Sequence, residues 1–475
     1  MLKSFLLPLS KLTCLIPVLL AAGLCTAQDT GAATGDAGDA GSITLDAAGD
    51  AAAMPEKASP FPPEMQAAID KFKTRDFKGA EAMLKEMVAK NPAYPPSGVF
   101  LGRLYAGIKQ PAAARAAFEQ AVRDNPDDPE AYVVFADSAL QQRRFTDAVL
   151  LYEKGNAIAN SYTTNETRKK SLQVRSLNGI AAVTEARGDF PGAEASLNKV
   201  LAMEPLNPAA LNRLGRVLFQ KGTKADEQKA YETFQKLYET NPAKMTRHEI
   251  NMAKLYQGKG QGKQAEKLVK LALQRDGKNL VTVLSAAQWA LETGNADFAE
   301  EIATQAKAID AKSAQVQLLS GIIARMKGDY AKAETELRQG QTLAPSNVMV
   351  LNQLALALGS QEDKAKIEQA VEFSQMATRL FPDARQAIGR ECGVTLSWIL
   401  SRLGKQDVAL KQLQNMLQNG PVGTDASYYA AEVLHKSGRS DMATQLLKSA
   451  IENGRGVFPA RKQAEDLLRK INGGQ

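Results

Sequence analysis

One stretch of 34 residues contains the pattern that decides the fold. Residues 95–128 read PPSGVFLGRLYAGIKQPAAARAAFEQAVRDNPDD. Small side chains at Gly102 and Ala114 would let two helices approach closely, and large apolar side chains would fill the space around that contact. Pro126 would end the second helix, because proline has no amide hydrogen and clashes with the preceding turn. The stretch therefore predicts a pair of helices followed by a turn.

The marked residues occupy fixed positions when this unit is numbered from 1 to 34. Gly102 and Ala114 stand at positions 8 and 20, and Gly98 departs from the large residue expected at position 4. The other marked residues, at positions 7, 11, 24, 27 and 32, are Leu101, Tyr105, Phe118, Ala121 and Pro126.

The same unit recurs from about residue 61 to the C-terminal end. We count about eleven copies, which start near residues 61, 95, 129, 174, 208, 246, 280, 314, 348, 390 and 424. Position 20 is alanine in every copy: Ala80, Ala114, Ala148, Ala193, Ala230, Ala265, Ala299, Ala333, Ala370, Ala409 and Ala443. A long heptad coiled coil is disfavoured, because Gly and Pro recur at fixed places in each unit.

Some copies are longer than 34 residues. Three extra residues separate the two helices around 224–228 and around 363–369. Extra residues before 174 and before 390 predict a longer first helix or a longer preceding turn. The last stretch, FPARKQAEDLLRKI from Phe458, predicts one more amphipathic helix that caps the open end of the stack.

These positions resemble the tetratricopeptide repeat. The resemblance implies an all-α fold, a right-handed superhelical solenoid of about eleven repeats with a C-terminal capping helix. It also implies that the first helices line a concave groove and that positions 2, 5, 9, 12 and 13 contact the ligand. Members of this family bind proteins or peptides, so the resemblance implies the same kind of partner in the groove.

The first 27 residues have the form of a secretory signal peptide. Lys3 and Lys11 precede a short apolar run over 12–24, and small residues end at Ala27. One alternative is a lipoprotein with Cys25 acylated, which the large residue before Cys25 disfavours. Another is an uncleaved anchor, for which the run falls short of about 20 residues. We therefore expect export to the periplasm or the exterior, with no membrane span after cleavage.

The charge of the chain changes after the signal segment. Residues 28–60 are rich in Ala, Gly and Asp and have few side chains to bury, which predicts a disordered linker. Because residues 1–27 carry +2 and residues 28–60 carry −5 of the total of +7, residues 61–475 carry +10. The predicted organisation is a signal peptide over 1–27, a linker over 28–60, a solenoid over 61–457 and a capping helix over 458–475.

The sequence lacks the residue patterns of common catalytic and metal sites. His248 and His435 are the only histidines and lie about five repeats apart, too far to converge on one metal or one nucleophile. Cys392 is interpreted as a small helix residue, and the Gly-rich segment at 258–263 as the turn between two helices. We therefore predict that the protein is not an enzyme and needs no cofactor or metal.

Two zones of the expected groove differ in character. Asn212, Arg216, Arg247 and Lys254 loosely resemble the carboxylate clamp of some family members, and the alternative is a solvated basic face. Further along, apolar side chains would form a stripe for a helix or an extended peptide; the alternative is that neighbouring helices, curvature or the linker cover it. The stripe residues are Leu284, Leu318, Ile322, Met326, Leu356, Val394, Trp398 and Tyr428.

The sequence therefore predicts an extracytoplasmic protein–protein interaction scaffold or adaptor, for example in envelope assembly or secretion. The alternative is a structural spacer or an accessory subunit of a polysaccharide-export or enzyme complex. Nucleic acid is disfavoured because the charge of +10 is spread over more than 400 residues. The sequence does not identify the partner or the oligomeric state.

Overall fold

The fold is described from a computed structural model, which covers residues 62–91, 94–108, 110–163, 165–454 and 456–473. These ranges contain 23 α-helices and no strand. The predicted signal peptide and linker lie outside the described residues. Within the described ranges, no helix is long and apolar enough to cross a membrane.

The helices alternate as eleven pairs followed by one final helix. The first helices of the pairs are α1 Pro63–Lys73, α3 Ser97–Gly107, α5 Pro129–Gln141, α7 Glu166–Ala186, α9 Pro208–Lys221, α11 His248–Gly258, α13 Leu280–Glu292, α15 Ala314–Met326, α17 Val348–Gly359, α19 Ala387–Arg402 and α21 Thr424–Lys436. The second helices are α2 Phe77–Lys90, α4 Pro111–Asp124, α6 Phe145–Ser161, α8 Phe190–Met203, α10 Lys224–Thr240, α12 Gly262–Asp276, α14 Ala296–Ile309, α16 Tyr330–Leu343, α18 Lys364–Leu380, α20 Gln406–Gln418 and α22 Ser440–Asn453. The final helix is α23 Arg461–Gly473.

The two helices of a pair are held together by the small residues that the sequence marked. All eleven alanines at position 20 are between 0% and 2% exposed, which confirms their predicted place in the core. At position 8, a methyl group added to Gly102 would overlap the ring of Phe118 at position 24. Gly215 with Phe234, and Gly321 with Leu337, repeat this arrangement. The close approach of the helices therefore requires glycine at these points.

The extra residues lengthen helices. α10 and α18 have 17 residues each, so the three residues inserted between the helices extend the start of the second helix. Before the fourth pair, the additional residues lengthen both α6 and α7, which have 17 and 21 residues. α19 begins at Ala387, three residues before its expected start.

In most pairs, the turn between the two helices contains a residue with left-handed backbone. Six pairs use glycine there, with φ between 73° and 77°, at Gly188, Gly260, Gly294, Gly328, Gly404 and Gly438. The first and third pairs instead use Arg75, with φ of 67°, and Arg143, with φ of 56°. Such φ values cost a residue with a Cβ more than they cost glycine. The segment at 258–263 spans the turn from α11 to α12, as the sequence predicted.

The helices separate into two compact units. The N-terminal unit contains α1 to α10 and ends at Thr240, and the C-terminal unit begins at Asn241. In the C-terminal unit one continuous apolar core extends from Ile250 to Ile471. The N-terminal unit holds several smaller core clusters.

The final helix packs at the end of the C-terminal unit. α23 contacts α21 and α22 and buries Ala464 and Ile471. The backbone N–H of Ala460 donates to Asp425 Oδ1 at 2.9 Å, and Gln463 Nε2 donates to the Tyr330 hydroxyl of α16 at 2.7 Å. α23 therefore joins the last pair to a pair three repeats earlier.

Candidate functional site

In the N-terminal unit, ion pairs link successive first helices. Arg103 of α3 donates from Nη2 to Glu130 Oε1 of α5 at 2.9 Å. Arg168 of α7 donates from Nε to Glu130 Oε2 at 3.0 Å and from Nη2 to Asp128 Oδ2 at 2.9 Å. Asp128 is also the N-cap of α5, where its side chain accepts the amide of Glu130. The acidic start of α5 is thus held between two arginines.

Three further ion pairs continue the row. Arg175 of α7 pairs with Asp137 of α5, and the Tyr152 hydroxyl donates to Asp137 Oδ1 at 2.5 Å. Glu185 at the end of α7 accepts from Arg213 Nη1 at 2.9 Å and lies 3.4 Å from Arg216 Nη2. We call this row the first-helix face of the N-terminal unit; its members are Arg103, Glu130, Asp137, Arg175, Glu185, Arg213 and Arg216.

The charges around Glu130 and Asp128 shift the pKa values of these two carboxyl groups in opposite directions. Burial opposes ionisation of Glu130, but the Arg103 and Arg168 guanidiniums outweigh it and hold the pKa of Glu130 below its ordinary value. Burial raises the pKa of Asp128, and Arg168 offsets only a part of that effect. Four arginines face three carboxylates among the seven members, so the face carries a small positive excess.

The positive excess of the first-helix face is concentrated at Arg216. Its side chain is 36% exposed, and it shares Glu185 with the closer Arg213. Its Nε is shielded from solvent and has no hydrogen-bond partner. Asn212, one turn earlier on α9, is exposed. These two members of the predicted basic zone therefore lie at the accessible end of the first-helix face.

The other two members of the predicted basic zone belong to the C-terminal unit and differ from each other. Arg247 donates from Nε and Nη2 to Glu249, at 2.7 and 2.9 Å, and Arg275 donates to the same carboxylate at 2.9 Å. Glu249 is fully buried; burial opposes its ionisation, but hydrogen bonds from His248 and Arg247 hold its pKa well below the ordinary value. Arg247 therefore neutralises a buried carboxylate, while Lys254 is exposed.

The predicted open apolar stripe is wrong for most of its members. Leu318 and Ile322 are 0% exposed, Leu356 is 3% exposed and Trp398 is 2% exposed. Val394 and Leu284 are buried as well. The alternative drawn from the sequence, coverage by the protein's own helices, describes them, and side chains without accessible surface cannot contact a partner in this arrangement.

Aromatic and acidic side chains cover Trp398. Its ring packs edge-on against Tyr429 with centroids 4.6 Å apart, and its Nε1 donates to Glu432 Oε2 at 2.7 Å. Tyr428 is half-buried, 4.9 Å from the Tyr429 ring. Trp398 is thus a core residue with a satisfied donor, and Tyr428 keeps partial access to solvent.

A buried ion pair fills the centre of the same region. Arg325 of α15 donates from Nη2 to Asp425 Oδ2 of α21 at 2.9 Å and to the Tyr429 hydroxyl at 2.6 Å, and from Nη1 to Gln353 of α17. The guanidinium is 1% exposed and the carboxylate 8%. Helices that are three pairs apart therefore meet across the face where the sequence placed a groove.

Sequence reasoning missed this ion pair, although a signal was present. Arg325 and Asp425 stand at positions 12 and 2 of their units, both among the ligand-contact positions, within an otherwise apolar row. Opposite charges in such a row indicate a buried ion pair, because an isolated buried charge is costly.

The cysteine and the two histidines do not come together in one site. Cys392 is fully buried, and burial, reinforced by Glu391, raises the pKa of its thiol to about 12. His248 lies beside Glu249, and His435 Nδ1 is 2.9 Å from Ser440 Oγ. Among the residues that the structure describes, no three His, Cys, Asp or Glu side chains converge as a metal site.

Comparisons with known proteins identify the repeat. Tetratricopeptide-repeat models match residues 71–132, 185–242 and 394–457. No curated protein sequence matches the chain.

Solved structures are similar at low identity. Yeast Tom70 is 16% identical with a TM-score of 0.38, over 87% of this chain and 95% of that chain. Cut9–Hcn1 of the APC/C is 16% identical with a TM-score of 0.39, over 86% of this chain and 83% of that chain. A tetratricopeptide-repeat protein from Parabacteroides merdae is 14% identical with a TM-score of 0.33, over 63% and 98%.

Proposed function

We propose that this chain, which carries tetratricopeptide repeats in residues 71–132, 185–242 and 394–457, is an extracytoplasmic adaptor that binds an acidic segment of a partner protein. The binding surface in this proposal is the first-helix face of the N-terminal unit. The partner belongs to the cell envelope, where assembly or secretion needs non-catalytic scaffolds.

The choice of this surface rests on a difference between the first helices of the two units. The first-helix face of the N-terminal unit is lined by charged side chains, and two of its arginines retain substantial solvent access, Arg175 at 41% and Arg216 at 36%. In the C-terminal unit Lys254 on α11 remains exposed, but the corresponding positions of α15 and α19 are occupied by buried side chains such as Arg325 and Trp398. Exposed charges with incomplete partners favour recognition of an acidic partner, since they attract it and then pair with it.

Export rests on the form of residues 1–27. A positive start, a short apolar run and small residues before Gln28 are typical of a cleaved secretory signal. N-terminal sequencing of protein purified from the envelope should begin at about Gln28. A start at Met1 on protein recovered from the cytosol would contradict the extracytoplasmic part of the proposal.

The adaptor function is tested by charge reversal on the first-helix face. Arg216→Glu places a carboxylate beside Glu185, so we expect quantitative capture of partners from an envelope extract to fall severalfold at low salt. Lys199→Glu, an equal charge change at an exposed site on α8, is the matched control and should capture normally.

Salt separates the proposed mechanism from other effects. Capture by the unchanged protein should weaken as ionic strength rises, because counterions screen exposed charges. Equal capture by the unchanged protein and Arg216→Glu, with both folded by circular dichroism, would remove the first-helix face as the binding surface.

A further inference from the structure

A cleft lies beside the turn between α5 and α6 in the N-terminal unit. Its volume is about 420 Å³. The lining residues come from the turn, from the first residues of α6 and from the end of α7: Arg143, Arg144, Phe145, Thr146, Asp147 and Arg187. None of them belongs to the first-helix face.

The cleft carries an excess of two positive charges. Its three arginines face a single carboxylate, that of Asp147, which pairs with Arg144 Nη1. Arg187 Nη2 donates to Thr146 Oγ1 at 2.8 Å, which brings the end of α7 to the start of α6. Asp147 is 52% exposed, so this counter-charge sits at the solvent side.

Arg144 has a donor that the protein does not use. Its Nε donates to Gln142 at 3.1 Å, and its guanidinium lies over the Phe135 ring at 5.7 Å from the centroid. Its Nη2 is shielded from solvent without a hydrogen-bond partner. Leaving such a donor unpaired is costly, so a turn of the Arg144 side chain that brings this donor to an acceptor in the cleft would be favoured.

Arg143 occupies a turn position that most pairs fill with glycine. Six other pairs have glycine at this point of the turn, and Arg143 adopts a φ of 56° that glycine would adopt with less strain. The strained residue therefore lies at the rim of the charged cleft. Arg75 has a similar φ of 67°. Its neighbours are Thr74 and Asp76, so no second arginine stands beside it in the sequence.

The start of α6 adds to the positive potential. Arg144 is its N-cap and makes no side-chain bond to the first amides, whereas Asp76 and Asp189 cap α2 and α8 in this way. An uncapped helix start of this length attracts an anion weakly by itself. Here the start of α6 lines the same cleft as the three arginines.

We infer that this cleft binds a phosphate group, either inorganic phosphate or a phosphomonoester. The dianion matches the two excess positive charges, whereas a carboxylate would match only one. Guanidinium groups pair with phosphate oxygens through two parallel N–H donors, and the Thr146 hydroxyl is a further donor at the same place. This inference is independent of the proposed function, because it uses different residues and a different ligand.

The test is calorimetric titration of the whole protein at low salt with inorganic phosphate and with O-phosphoserine. Arg143→Gly removes one guanidinium and relieves the backbone, so phosphate affinity should fall about tenfold while the thermal midpoint does not fall. Asp147→Asn removes the competing carboxylate, so affinity should rise.

Arg75→Gly is the matched control. It makes the same substitution at the same kind of turn outside the cleft, so it should leave phosphate affinity unchanged. Tighter binding of O-phosphoserine than of inorganic phosphate would support a monoester ligand, and the reverse order would support free phosphate. Millimolar phosphate that fails to bind the unchanged protein, or equal losses in Arg143→Gly and Arg75→Gly, would overturn the inference.

Discussion

At the scale of single side chains, the pair of Arg325 and Asp425 shows what closes the first-helix positions of the C-terminal unit. Both charges are nearly removed from water, and each has additional partners: Tyr429 and Gln353 for the guanidinium, the Ala460 amide for the carboxylate. Transfer of an ion from water costs several kcal/mol. These partners offset part of that cost, while Arg325 Nε stays buried without a hydrogen-bond partner. The pair therefore ties α15 to α21.

Loss of one member of this pair should loosen both helices. Arg325→Met leaves the Asp425 carboxylate buried without its counterion, which we expect to cost about 3–5 kcal/mol. Amide hydrogen exchange in α15 and α21 measures this as a lower opening free energy. Tyr429→Phe removes a single hydrogen bond and should cost about 1 kcal/mol, which makes it the control. Unchanged protection in Arg325→Met would show that the pair contributes no stability.

A second residue-scale prediction concerns pH. Burial, with Asp425 adding, raises the pKa of Glu391 to about 8, and the Gly423 N–H opposes this only in part. The folded protein therefore holds a proton that the unfolded chain releases near pH 4.5, so stability should fall as pH rises from about 4.5 to about 8.

Glu391→Gln should flatten this dependence. We expect the difference in thermal midpoint between the variant and the unchanged protein to grow in favour of the variant between pH 5 and pH 8. Parallel midpoint curves for the two proteins would contradict the raised pKa.

At the scale of helices, the spacing of small and large residues accounts for the pairs. Alanine at position 20 and glycine, alanine or serine at position 8 bring the helices close enough for the residue at position 24 to lie against the first helix. These contacts are local, within about 20 residues, which is why the sequence predicts the helices, their order and the lengthened elements.

Close packing makes a specific glycine sensitive. Gly102→Ala would drive a methyl group into the Phe118 ring, and we expect a loss of about 1–3 kcal/mol in stability. Gly258→Ala, in a helix end with no heavy atom near the new methyl group, should be neutral or stabilise by up to about 1 kcal/mol. Urea unfolding of the two variants measures both effects, and equal losses would contradict the packing account.

The candidate surface was less predictable than the helices. Position numbers within a unit identified Asn212 and Arg216 as facing residues, and the structure leaves both accessible. They did not identify Trp398 as buried, because its environment depends on Tyr429 and Glu432 of the following pair. The Arg325–Asp425 contact spans a hundred residues, and no periodicity within 34 residues encodes how distant pairs meet.

At the scale of the whole molecule, each unit has its own character. The N-terminal unit has several small cores and a charged first-helix face, and the C-terminal unit has one continuous core. Combined replacement of Trp398 and Tyr428 by alanine should act first on folding, since truncation of a buried Trp costs about 3–5 kcal/mol. Recognition is expected from the N-terminal unit.

The most direct measurement of that expectation is site-specific photo-crosslinking in living cells. A photoreactive amino acid replaces Asn212, exposed beside Arg216 on the first-helix face, or Lys199, exposed on α8 of the same unit. We expect a discrete adduct with a partner protein from position 212 and none from position 199. Adducts from position 199 alone, or equal adducts from both positions, would contradict it.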